Sequence, residues 1–153
     1  MVLSTMNMIS RRTALIISSA AVITLSAAIT PLLAAEPVLS APQAHKAATD
    51  KELVFLDIRS PQEWKQTGIA TTAHPVSMHQ KGFLQKLNKL IDGVKTKTIA
   101  LICATGSRSA YIQNELRKRG YINAISVAEG MVGGPNGKGW IPRGLPVKKI
   151  TAN

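Results

Sequence analysis

Two short runs, Leu53-Val54-Phe55-Leu56-Asp57-Ile58 and Ile99-Ala100-Leu101-Ile102, are almost unbroken in apolar side chains, and a segment of helix formers follows each within a few residues. A strand with one wet face alternates apolar and polar residues. A strand covered on both faces does not, so these runs have the pattern of central strands in a parallel sheet. Parallel neighbours need a crossover, usually a helix, to bring the chain back. The surrounding sequence supplies the crossovers. Ser60-Pro61-Gln62-Glu63 is a capping box with proline at the first helical position, and Gly68 ends that helix. Phe83, Leu84, Leu87, Leu90 and Ile91 recur at amphipathic spacing up to Gly93, and Ala110 to Arg119 form a further helix with Gly120 at its C′ position. Ala44 to Glu52 read as a short helix, and Ala73 to Ser77 and Tyr121 to Val127 as strands, the latter the last strand. The fold class expected is α/β: a single domain with an open central parallel sheet, right-handed crossovers and helices on both faces.

In such sheets ligands gather at the carboxyl ends of the strands. The second run ends there on Cys103, the only cysteine of the chain, and a tight loop, Ala104-Thr105-Gly106-Ser107-Arg108-Ser109, leads into the helix. A loop wound at a helix N-terminus turns backbone N–H groups inward, and the helix dipole adds partial positive charge. A thiolate, or a persulfide ending in an anionic sulfur, is stabilised in such a cradle. Gly106 permits a turn that a side chain would hinder, and Arg108 adds a full charge. A cysteine at the end of an apolar strand is more often a small buried hydrophobe; the loop shifts the balance toward a nucleophile. Asp57 and Arg59 close the first run at the same rim. They are supporting residues, either touching substrate or, the preferred reading, pairing with nearby caps and Glu63 to fix the rim.

These motifs carry a resemblance. Cys103 to Arg108 opening a helix resembles the active-site loop of the rhodanese family of sulfurtransferases. Leu53 to Trp64 is similar to that family's first strand, with its Asp-x-Arg and Ser-Pro-x-Glu-aromatic pattern. Glu129-Gly130-Met131-Val132-Gly133-Gly134, Gly139-Trp140 and Gly144-Leu145-Pro146-Val147 resemble its C-terminal turn and tail, so the likeness covers about residues 45–150. One segment departs from it: where the family commonly has Gly-His-Ile-Pro-Gly-Ala, this chain has Gly68-Ile69-Ala70-Thr71-Thr72-Ala73. The resemblance implies a sulfurtransferase that moves a sulfane sulfur from a small anionic donor such as thiosulfate to cyanide or a thiol, through a persulfide on Cys103 held by Ala104 to Ser109. It implies no metal or organic cofactor. His74 and His79 lack the spacing of metal ligands. The alternatives are a non-catalytic module that carries or senses sulfur for a partner protein and, more remotely, an arsenate reductase or phosphatase. Phosphatase loops hold one more residue between cysteine and arginine than the four found here.

Ahead of this domain, Arg11-Arg12 precede an uncharged stretch from Thr13 to Ala35 rich in Ala, Ile, Leu, Ser and Val. Residues 1–35 read as a secretory signal peptide by either the general or the twin-arginine route, with an uncleaved membrane anchor as the alternative. Residues 36–44, rich in Pro and Ala, read as a linker, leaving 45–150 as the domain. Export, to the periplasm of a bacterium, follows. A lone cysteine permits no internal disulfide and no resolving thiol, which removes a dithiol oxidoreductase from consideration. The formal charge is +11, with cations clustered at Lys86–Lys97, Arg117–Arg119 and Lys148-Lys149. That field attracts small anions, but no aromatic interleaving or nucleic-acid motif accompanies it. Membrane contact is expected only if the leader is retained. The glycines of 130–139 are expected to form a flexible rim loop, and Trp140 to pack on the core.

Overall fold

The two apolar runs lie side by side. In the computed structural model, which describes residues 37–150, β2 (Val54–Asp57) and β5 (Ile99–Ile102) pair in parallel from Val54 opposite Ile99 to Asp57 opposite Ile102. The expectations for residues 1–35 fall outside the described range. Around this pair run β1 (Val38–Leu39), α1 (Ala41–Thr49), α2 (Pro61–Thr67), β3 (Ile69–Ala70), β4 (His74–Pro75), α3 (Phe83–Leu90), α4 (Ser107–Lys118), β6 (Ala124–Val127) and β7 (Val147–Lys148). The main sheet has five strands, all parallel, in the order β1-β6-β5-β2-β4.

Strand geometry sends alternate residues to opposite faces. Leu56, Ile58, Leu101 and Cys103 therefore join Leu87 of α3 and Leu116 of α4 in one core cluster, while Phe55, Ala100 and Ile102 join Ala41 and Ala44 of α1, with Met131 and Trp140, in the other. Helices thus cover both faces, as the apolar runs require. Each fully buried Leu or Ile of these clusters contributes about 1.5–3 kcal/mol. Trp140 has no exposed surface; it packs at 5.5 Å from Phe55 and edge-on at 5.3 Å to His45, and donates from Nε1 to Pro146 O at 3.0 Å. It is a core residue, as expected.

The linker expectation needs correction. Val38 and Leu39 add an edge strand beside β6, opposite Ser126 and Val127, and the helix expected from Ala44 starts at Ala41. Its start is a second capping box: the Ser40 side chain accepts from Gln43 N, while Gln43 Oε1 accepts from Ser40 N at 2.8 Å. The Ala41 N–H donates to Glu129 Oε2 at 2.8 Å, so a carboxylate 88 residues away closes the same helix end. Tyr121 to Val127 is not the last strand either. β7 pairs antiparallel with β3, Ile69 opposite Lys148 and Ala70 opposite Val147, and the C-terminal tail thereby fastens the segment that departs from the family pattern. The glycine-rich stretch is tied rather than loose: Met131 N donates to Cys103 O at 2.8 Å, Val132 N to Ala104 O at 2.9 Å and Trp140 N to Gly130 O at 2.9 Å.

Candidate active site

Cys103 follows the last residue of β5, and its side chain takes the face shared with Leu101 and α4. The next three residues turn into α4, whose N-cap is Gly106 at φ +96°. Glycine is required there twice over. The left-handed backbone disfavours a side chain, and a Cβ at this position would lie 1.9 Å from Ala128 O. The conformation brings the Gly106 N–H to Cys103 Sγ at 3.2 Å. Among the described residues it is the one backbone donor that reaches the sulfur.

The first turn of α4 supplies the rest. Ser109, buried, places its hydroxyl 3.5 Å from Sγ, donates to Gly106 O at 2.8 Å, and accepts from Ser126 Oγ of β6 at 2.8 Å. Arg108 turns toward α2, where its guanidinium forms a two-pronged pair with Glu63: Nη1 to Oε2 at 2.9 Å and Nη2 to Oε1 at 2.5 Å. Glu63 also closes the α2 capping box, accepting from Ser60 N at 2.9 Å. The Arg108 hydrogen bond is the main reason its carboxyl is lowered from an ordinary 4.5 to about 2. In return Glu63 raises the Arg108 guanidinium, and the adjacent Cys103 sulfur adds to that rise through its charge and a hydrogen bond.

Cys103 itself has no exposed surface, whereas Ala104, Thr105 and Arg108 above it are half-buried and Ser107 is exposed. The site is closed over the sulfur.

Asp57 and Arg59 form a sealed unit at the end of β2, with Arg59 1% exposed and Asp57 wholly buried. Arg59 Nε donates to Asp57 Oδ1 at 2.9 Å and Nη2 to Oδ2 at 2.6 Å; the same guanidinium reaches Thr67 Oγ1 and Gly68 O at 2.8 and 2.7 Å. The Arg59 backbone N–H and Trp64 Nε1 also donate to Asp57 Oδ1, at 3.1 and 3.0 Å. These residues fix the end of α2 and present nothing to a substrate. The expected link to Glu63 is absent, because Glu63 faces Arg108. Sequence reasoning missed that pair, Ser126, and Glu129, which holds Ala41 N and the Arg143 guanidinium. For Glu63 the only signal was its place in the capping box.

The sequence model of the family described as "Rhodanese-like domain" matches residues 40–134, more than half of the chain. The chain belongs to the rhodanese-like domain family. The match begins at Ser40, the cap of α1, which agrees with a domain that includes this helix. Among curated proteins, this rhodanese-like chain is 29% identical over 102 residues to the uncharacterized protein RP600 of Rickettsia prowazekii, covering 60% of this chain and 80% of that one. Among solved structures it is similar to the polysulfide-sulfur transferase homodimer of Wolinella succinogenes (23% identity, TM-score 0.57, 76% of this chain and 80% of that chain). It is also similar to the human single-domain sulfurtransferase TSTD1 (18% identity, TM-score 0.50, 61% of this chain and 90% of that chain). At these identities the structural likeness establishes a common fold, and the fold is the one that sulfurtransferases share.

Proposed function

We propose that this rhodanese-like domain is a sulfurtransferase working by double displacement through Cys103. The thiolate attacks the outer sulfur of a sulfane donor such as thiosulfate. The donor's S–S bond breaks, and its electron pair departs with the remaining anion, sulfite in that case, leaving a persulfide on Cys103. The terminal sulfur carries the negative charge, and the Gly106 N–H, the start of α4 and Arg108 stabilise it. Cyanide or a thiol then attacks that sulfur, and the bonding pair returns to Cys103 as thiolate. Both half-reactions balance without an external oxidant or cofactor, and ping-pong kinetics follow.

The observation that carries this reading is the N–H of Gly106 aimed at Cys103 Sγ at the start of α4, with the Ser109 hydroxyl 3.5 Å from the same sulfur. The loop from Cys103 to Arg108 is one residue shorter than the loops that surround a tetrahedral oxyanion. We further propose that the domain acts outside the cytoplasm, on a small anionic donor drawn in by its positive field, with a thiol or a protein as physiological acceptor.

The test compares the natural protein with Cys103→Ser in thiosulfate-to-cyanide transfer. The natural protein is expected to turn over and the variant to be inactive, and mass spectrometry after thiosulfate treatment is expected to show one added sulfur in the former only. Equal rates and unchanged mass in both would reject the proposal.

A further inference from the structure

Ser126 lies on β6, seventeen residues beyond Ser109 in sequence and wholly buried. Among the described residues its hydroxyl has one hydrogen-bond partner, the oxygen of Ser109, and its backbone N–H is held by Gln113 Oε1 at 3.0 Å. Resting on the reading of Cys103 as the nucleophile, we propose that Ser126 is a positioning residue for that nucleophile: it donates into Ser109 and so anchors that oxygen beside the sulfur while leaving its single proton free to turn there.

The argument is a count of donors and lone pairs. A serine hydroxyl has one proton and two acceptor sites. Ser109 Oγ has three neighbours in reach: Gly106 O at 2.8 Å, Ser126 Oγ at 2.8 Å and Cys103 Sγ at 3.5 Å. With the thiol protonated, S–H and the Ser126 O–H occupy both acceptor sites of Ser109, whose own proton goes to Gly106 O. All groups are then satisfied. When the thiol proton leaves to solvent, the Ser109 O–H turns from Gly106 O to the anionic sulfur. Gly106 O is not orphaned by this, because it also accepts the Ala110 N–H at 3.0 Å. The turn is free of cost only while Ser126 remains the donor in its own pair. Were Ser126 to accept instead, the one Ser109 proton would be consumed there, and the thiolate would keep Gly106 N–H but lose the hydroxyl. Among the described residues no other acceptor hydrogen-bonds Ser126 Oγ, so Ser109 is the outlet for its proton.

The experiment uses Ser126→Ala, Ser126→Thr, Ser109→Ala and the double variant Ser109→Ala/Ser126→Ala. The probe is iodoacetamide, whose alkylation is assigned without ambiguity because the chain has one cysteine. Ser126→Ala leaves Ser109 Oγ without its anchoring donor and is expected to slow alkylation at neutral pH about threefold to tenfold, the weight of one ordinary hydrogen bond, and to move the rate-against-pH profile to higher pH. Ser126→Thr, which keeps the hydroxyl, restores both. The double variant behaves as Ser109→Ala alone, since Ser126 acts only through Ser109. A further loss in the double variant, or a Ser126→Ala profile superimposable on that of the natural protein, would overturn the proposal. Alkylation needs no sulfur donor, so failure of the sulfurtransferase reading shows up separately, as a protein whose alkylation follows this pattern but which transfers no sulfur.

Discussion

Glu63→Gln tests the electrostatics of the loop, and the structure sets its size. The carboxylate accepts from Ser60 N, from Ser60 Oγ and from both terminal nitrogens of Arg108. Glutamine retains an oxygen for Ser60 but loses the charge that holds the guanidinium. A carboxyl lowered from 4.5 to about 2 corresponds, at 1.36 kcal/mol per pH unit, to a ceiling of about 3.4 kcal/mol. Water still reaches 27% of the Glu63 side chain and 32% of that of Arg108, so screening brings the expected value down to about 1–2 kcal/mol. The sign follows from the direction of the shift. The folded-state pKa is depressed, so the stabilisation is complete above the unfolded value near 4.5 and is lost as pH falls toward 2. Urea unfolding of both proteins at intervals from pH 7 to pH 2.5 measures it. The gap between the natural protein and Glu63→Gln is expected to be constant above about pH 5 and to shrink steadily below it. Parallel stability curves over that whole range would refute the assignment of this pair as the group that titrates.

Two further outcomes are expected from substitutions elsewhere in the rim. Gly106→Ala combines a left-handed φ, about 1–2 kcal/mol, with an overlap at 1.9 Å against Ala128 O, for a total loss of about 3 kcal/mol or more in chemical denaturation; Gly93→Ala, with positive φ but nothing within 4 Å, is the control and costs only the backbone part. Arg59→Ala leaves the buried Asp57 carboxylate without its cation, and unfolding is expected at a denaturant concentration lower by the equivalent of about 3–5 kcal/mol, with Trp64 fluorescence reporting the change.

The strands that carry the site were legible because their patterning is local. Leu53 to Ile58 and Ile99 to Ile102 are apolar on both faces wherever they sit, and a parallel sheet is the ordinary answer to that. The helix after Ser60 was equally plain, since a capping box is a four-residue signal. The same signal stands at Ser40-Ala41-Pro42-Gln43, yet the surrounding proline and alanine read as a linker; composition outweighed a cap that was in view. Val38-Leu39, Ile69-Ala70 and Val147-Lys148 carry no periodicity at two residues each, and become strands only through partners far along the chain. In the site, Cys103 and its loop could be read from sequence because strand, glycine and helix are contiguous. The Glu63–Arg108 pair spans 45 residues and Ser109–Ser126 spans 17. Such partners depend on which strands end up adjacent, and no single segment encodes that. Asp57 and Arg59, expected to pair with nearby caps and Glu63, cluster instead with Thr67, Gly68 and Trp64.

The two backbones that meet at the cysteine are in mutual contact without slack. A Cβ on Gly106 would strike Ala128, and one on Gly130 would sit 2.3 Å from Ala104 O. An inserted residue adds about 1.5 Å of rise if helical and up to about 3.5 Å if extended, several times the clearance here. Lengthening the loop to enclose an oxyanion therefore demands a simultaneous rebuilding of residues 128–134. The length of the Cys103 loop and the path of the later segment are set together, because each is the mould in which the other is cast.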